Sequence, residues 1–203
     1  MKICHVVSAG ENSPAALPLR GQEDLIIAAD AGLLFLRANG VEPDLFVGDG
    51  DSLGFLPQDL PTVVLPVVKD DTDTQAALRE GLARGYRDFR LYGALGGKRI
   101  SHALSNLRNL SFLADRGARG VIVDERCTVE LLCPGAVRFS QAGGYFSLFP
   151  EGEKAEVAVR GARYEGEGIT LTYGDSLGAS NEPRGAETEV TVLSGRVLLV
   201  REG

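Results

Sequence analysis

The chain has only two histidines, His5 and His102, and three cysteines, Cys4, Cys127 and Cys133, with no CxxC pair among them. A multi-histidine metal centre and a thiolate zinc site are therefore excluded. The cysteines read as reduced and structural, which places the chain in the cytoplasm. No apolar run reaches the roughly 18 residues of a membrane span. The N-terminal stretch MKICHVVSAGENS lacks the apolar core of a signal peptide. Positive charge is in deficit: 21 Lys and Arg stand against 28 Asp and Glu, for a net charge of −7. That balance argues against a surface built for nucleic acid or for an anionic membrane. A local basic pocket is still allowed, and an acidic protein handling polyphosphate would approach it through a divalent cation.

What is present is enough for a sizeable core: 203 residues, 44% of them hydrophobic. In the first two-thirds, short apolar runs alternate with helical stretches. Strands are expected at 2–7, 24–30, 43–49, 61–68, 89–94 and 120–125. Helices are expected at 31–40, 72–84 and 101–116, each closed by a glycine. Thr72 with Gln75 fits a capping box, which puts Asp73 in a first helical turn. Strands separated by such helices build a mainly parallel sheet, whose ligands bind beyond the carboxyl ends of the strands. After Pro134 the pattern changes to short alternating runs divided by glycines. The expected architecture is an α/β domain with a mainly parallel sheet over residues 1–133, followed by a small all-β sandwich over 134–203.

Polar clusters fall at the strand ends. The stretch LFVGDGDSL (45–53) sets Asp49 and Asp51 between glycines. Alone it reads as a surface turn. With Asp30 and Asp73 at neighbouring strand ends it reads as a cation site, because four converging carboxylates without a cation would repel one another. Lys69 beside Asp70, Asp71 and Asp73 reads either as a solvated loop and cap or as a cationic clamp next to an acidic site. GALGGKRISH (93–102) is a glycine-rich loop leading into a helix, a phosphate cradle made by Gly96 and Gly97. It has neither Walker A nor GxGxxG spacing. Lys98 and Arg99 add positive charge there. His102 is either a phosphate donor or a residue of the first helical turn. In the β unit, Ser180, Asn181 and Glu182 offer donors and acceptors suited to a heterocycle, or cap a turn before Pro183.

Five segments in order resemble the thiamine pyrophosphokinase family: AADAG (28–32), PDLFVGDGDSL (43–53), KDDTDTQAAL (69–78), GALGGKRISHALSNL (93–107) and LGASNE (177–182). The resemblance covers nearly the whole chain. It implies a homodimer in which a pyrophosphoryl group passes from ATP to the hydroxyl of thiamine, giving thiamine diphosphate and AMP. It also implies that Asp49, Asp51 and Asp73 hold Mg²⁺ and that Asp30 supports them. Arg99 would contact phosphate, with Lys69, Gly96, Gly97, Ser101 and His102 lining the substrates. Ser180 and Asn181 would lie near the thiamine pyrimidine. The chain departs from the pattern at Ser101, where the family has Asp; serine can still cap the helix but carries no charge. One residue more than usual separates the glycines from His102, so Lys98 or Arg99 takes the family arginine's place; alignment back from His102 selects Arg99. Ser101 also opens two alternatives: a related pyrophosphokinase with another alcohol acceptor, or a weakly catalytic protein that binds thiamine or nucleotide.

Overall fold

The computed structural model describes residues 2–66, 70–97 and 99–203. It contains two compact units, Met1–Glu125 and Arg126–Gly203.

The first unit carries six strands, β1 (Ile3–Val7), β2 (Leu25–Ala29), β3 (Leu45–Gly48), β4 (Thr62–Val64), β5 (Asp88–Tyr92) and β6 (Arg119–Val123), with helices α1 (Gly32–Ala38), α2 (Asp73–Ala83) and α3 (Ile100–Ala114). The strands lie in the order β4-β3-β2-β1-β5-β6, and all five pairings are parallel. The central runs are apolar residue after residue because helices cover both faces: every residue of β2 and β3 is buried. Leu33 and Leu36 of α1 are fully buried, each contributing about 1.5–3 kcal/mol. α2 also packs close to the sheet: a Cβ on Gly81 would stand 2.6 Å from the Phe89 ring and 2.8 Å from the Cys4 sulfur. His5, on β1, is buried between the Tyr92 hydroxyl (3.0 Å) and an Asp24 carboxylate oxygen (3.4 Å). Burial lowers its pKa, more than Asp24 raises it.

Chain order runs outward from β1 through β2, β3 and β4, then resumes on β1's other side with β5 and β6. The connections after β1 and after β5 therefore leave in opposite directions. Open α/β sheets present their ligand crevice at such a switch point.

The second unit contains only strands: β7 (Cys127–Leu132), β8 (Gly135–Phe139), β9 (Tyr145–Pro150), β10 (Lys154–Arg160), β11 (Gly166–Thr172), β12 (Thr188–Ser194) and β13 (Val197–Glu202). β7-β13-β9 and β11-β10-β12-β8 are antiparallel layers. They share a core that includes Phe146, Leu148, Val157, Leu171, Val190 and Leu199, with the Phe139 and Phe146 rings edge to face at 5.5 Å.

The α/β unit and the β-sandwich are both as expected, and no helix among the described residues is long and apolar enough to cross a membrane. Three details differ. The units divide after Glu125 rather than at 133/134, because the unforeseen strand β7 pairs along its full length with β13. β4 is only three residues and ends before Pro66, which cannot extend a ladder; residues 67 and 68 lie outside the described residues. α3 starts at Ile100, with Arg99 at the N-cap position and no side-chain cap. Ser101 thus lies inside the first turn and does not cap the helix.

Candidate functional site

Three backbone devices bring the carboxylates together. Asp30 follows β2 in a left-handed conformation, φ +48°. Aspartate tolerates this better than most residues. The turn is held by its amide donating to the Val47 carbonyl (3.0 Å) and its carbonyl accepting from Leu33 (3.1 Å). At the end of β3, a Cβ on Gly48 would already touch the Asp30 backbone at 3.4 Å, so glycine lets the two strand ends lie close. Gly50 has φ +76°, and a Cβ there would lie 2.6 Å from the Phe55 carbonyl oxygen. Within this turn the Asp49 carboxylate accepts the Asp51 amide at 3.2 Å, an Asx turn that orients the Asp49 side chain.

As a result, Asp30, Asp49 and Asp51 each offer an oxygen within 4.8 Å of the others. One Asp30 oxygen is buried with no hydrogen-bond partner among the described residues. Burial pushes the Asp30 carboxyl up from its usual range. Ser52 and the Ala31 amide oppose the shift, while the charges of Asp73 and Asp51 add to it. The Ser52 hydroxyl has one proton, and its geometry assigns that proton to Asp51 at 3.1 Å; its help to Asp30 is correspondingly small. An orphaned buried carboxylate oxygen facing two more carboxylates is a donor set that fits a hard cation such as Mg²⁺.

Asp73 stands outside the trio but near enough for its charge to act on Asp30. It opens α2, where the Thr72 hydroxyl caps the helix by accepting the Gln75 amide at 3.2 Å, as the capping-box reading anticipated. The geometry therefore differs from the expected set of Asp49, Asp51 and Asp73: Asp30 is one of the three that converge. Asp71 is engaged by Arg79 at 2.6 Å. Lys69 and Lys98 lie outside the described residues.

This arrangement gives a direct expectation. Replacing Asp30 by Asn removes a buried like charge, so without divalent cation the variant should be more stable by about 1 kcal/mol at neutral pH. Added Mg²⁺ should raise the melting temperature of the unaltered chain by more than that of the variant, because cation binding to the folded state adds stability by mass action. Thermal scans with EDTA and with Mg²⁺ check both; equal responses to Mg²⁺ would remove Asp30 from the site.

The glycine-rich loop lies across the switch point, after β5. Gly93, Gly96 and Gly97 have φ of +56°, +68° and +80°. The loop rests on the segment after β1: the Gly10 amide donates to the Gly93 carbonyl (3.0 Å), and the Glu11 amide to that of Leu95 (3.3 Å). The buried Asn106 amide, from α3, donates to the Ala94 carbonyl at 2.8 Å. Arg99, Ser101 and His102 are exposed at the head of α3, where the helix dipole favours anions.

In the second unit, the Asn181 backbone bridges β9 through two hydrogen bonds of 2.8 Å with Phe146. Its side chain donates to the Tyr164 carbonyl (2.8 Å) and accepts the amides of Tyr164 (3.0 Å) and Glu182 (2.9 Å). Both the oxygen and the nitrogen of that amide help to frame the loop. Ser180 is exposed with φ +57°, and its amide is held by the Ser147 hydroxyl at 3.0 Å. Glu182 is engaged by Arg163 at 2.6 Å. Tyr145, next to Phe146, Tyr164, which bonds to the Asn181 side chain, and Leu177 are 48%, 60% and 68% exposed. Sequence reasoning missed these apolar surfaces, because single aromatics among strands carry no pattern. It also missed the Gly10–Asn12 segment, whose role appears only once β1 and β5 are neighbours.

Comparison with known proteins places both units of the chain in one family. Residues 18–122 match the family profile described as thiamin pyrophosphokinase, catalytic domain, and residues 136–199 that described as thiamin pyrophosphokinase, vitamin B1 binding domain. Among solved structures, thiamine pyrophosphokinase from Bacillus subtilis superposes with a TM-score of 0.88 at 22% identity, over 100% of this chain and 99% of that one. Thiamin pyrophosphokinase from Geobacillus thermodenitrificans gives 0.85 at 27% identity, over 99% and 97%. The Candida albicans enzyme gives 0.78 at 14% identity, over 99% and 89%. Among curated proteins, none matches the chain.

Proposed function

The chain belongs to the thiamin pyrophosphokinase family and is an enzyme of that kind, and from that premise we propose that it transfers a pyrophosphoryl group from ATP to the hydroxyl of thiamine. The observation that carries the reading is the convergence of Asp30, Asp49 and Asp51 on one point, at the edge of a sheet whose glycine-rich loop lies across the switch point.

The roles follow from the chemistry. The hydroxyl oxygen of thiamine forms a bond to the β-phosphorus of ATP. The bond from that phosphorus to the oxygen bridging to the α-phosphate breaks, and AMP leaves with the bridging oxygen. The hydroxyl proton passes to a carboxylate at the site. Such transfers need positioning and charge neutralisation more than a covalent intermediate. Asp30, Asp49 and Asp51 would hold Mg²⁺, with Asp73 beside them. The cation would supply neutralisation of triphosphate charge. Glycine-loop amides and the head of α3, with Arg99, give donors and positive potential for phosphate. The Ser180 loop, with Tyr145 and Tyr164 close by, offers polar groups and apolar faces suited to the thiamine rings. The resemblance also supports a homodimer with thiamine near the subunit interface; a solution mass of two chains by sedimentation equilibrium checks that part.

The test uses the full chain with ATP, thiamine and Mg²⁺. AMP and thiamine diphosphate should appear in equal amounts, and only when all three are present. ADP with thiamine monophosphate would overturn the pyrophosphoryl step. Absence of thiamine-dependent AMP at every Mg²⁺ concentration would overturn the assignment.

A further inference from the structure

The segment Ser8–Asn12 precedes the residues matched to the catalytic family profile, which begin at 18. It leaves the C-terminal end of β1, the strand at the switch point. Four observations converge on it. The Ser8 and Thr74 hydroxyls are both buried and 2.9 Å apart, which ties the end of β1 to the turn of α2 that carries Asp73. The Gly10 and Glu11 amides donate to carbonyls of the glycine-rich loop. Asn12 folds back so that its amide donates to the Ser8 carbonyl (2.8 Å) and the Gly10 carbonyl (3.2 Å), locking the segment into one shape. Contact with the glycine loop is close enough to exclude side chains. A Cβ on Gly93 would stand 2.3 Å from the Asn12 amide nitrogen, one on Gly10 2.3 Å from the Gly93 carbonyl oxygen, and one on Gly96 2.6 Å from a Glu11 carboxylate oxygen.

Asn12 also retains a buried amide oxygen with no hydrogen-bond partner among the described residues. Such an orphan costs about 1–3 kcal/mol. A cost of that kind persists where the shape it enforces is needed.

We infer that Asn12 is a positioning residue for the phosphates of the nucleotide: it fixes the Ser8–Asn12 segment, which sets the glycine loop on one side and the first turn of α2 on the other. This rests on the reading that the glycine loop receives the phosphates of ATP. Asn12 acts through the Gly93–Gly97 backbone and needs no contact with substrate. Its loss is therefore expressed in nucleotide affinity and not in thiamine affinity.

The experiment compares the unaltered chain with Asn12→Ala and Asn12→Asp. The second keeps the side chain's shape and removes its donors, so a folding defect of the first does not decide the matter. Steady-state KM values for ATP and thiamine are measured with Mg²⁺, alongside the dissociation constant for Mg²⁺ and ATP without thiamine and the melting temperature. Both variants should raise KM and Kd for ATP about fivefold or more, the effect of one or two lost hydrogen bonds, with KM for thiamine unchanged within about twofold. A merely structural role would lower melting temperature and apparent kcat together and leave both KM values unchanged; that result overturns the inference. If the unaltered chain forms no thiamine-dependent AMP but binds ATP, the proposed reaction fails while the Kd comparison still decides on Asn12. If it binds no ATP at all, both readings fall.

Discussion

Asp49→Asn should lower kcat/KM for AMP formation by about a thousandfold, the equivalent of roughly 4 kcal/mol of transition-state stabilisation. Asparagine keeps the oxygen that accepts the Asp51 amide, so the turn survives and the melting temperature should fall by no more than about 2 °C, a change of about 0.5–1 kcal/mol at most. What is lost is one full negative charge from a cluster of three carboxylates. The substitution leaves a weaker donor set for a cation in the place where triphosphate charge must be neutralised. Raising Mg²⁺ should restore part of the rate if the lesion is cation affinity. Initial rates across a Mg²⁺ series measure it, and a loss smaller than about tenfold at every Mg²⁺ level would remove Asp49 from the centre of the site.

Gly32→Ala should produce the largest loss of stability. Gly32 opens α1 directly beneath the end of β1, and a Cβ there would stand 2.0 Å from the Val7 carbonyl oxygen and 2.7 Å from its carbon. Both are backbone atoms in a central strand and neither can swing aside. The helix must therefore move outward, taking the fully buried Leu33 and Leu36 with it. Overpacking of this kind costs about 3 kcal/mol, or roughly 6–12 °C in melting temperature for a protein of this size. Gly40→Ala is the matched comparison: φ is +71°, but a Cβ would meet nothing within 4 Å. Its cost is backbone strain alone, about 1 kcal/mol. Thermal melts of the two variants decide the matter; equal losses would mean that the α1–β1 contact yields more readily than its geometry implies.

Local chemistry made much of this molecule readable from residue order alone. Buried parallel strands are unbroken apolar runs, so LIIAA and LFVG declared themselves. Thr72 and Gln75 marked the start of α2 because a cap is a contact between near neighbours. Asp49 and Asp51 were visible because their glycines permit a turn that few other residues can make. The features that escaped depend on distant partners. β7 is a strand because β13, some 70 residues later, pairs with it. Ser101 sits in the N-cap residue's usual company, but α3 begins one residue ahead of it, at Ile100. Asp30 looked like a supporting residue, since nothing near it in sequence shows that its turn aims it into the acidic cluster. The bonds between the Asn181 amide and Tyr164 were not legible either, because they span 17 residues.

The place of β1 in the sheet has a practical side. Matching to the catalytic family profile begins at residue 18, yet β1 ends at Val7 and is the shared neighbour of β2 and β5. A fragment trimmed to those family limits would keep every acidic residue of the cluster and the whole glycine-rich loop. It would also lack the strand that joins the two halves of the sheet, leaving β2 and β5 with bare, apolar edges turned toward each other. Such edges recruit other chains. An insoluble fragment of that kind would say nothing about the chemistry of this enzyme; the first dozen residues are the seam along which it is sewn.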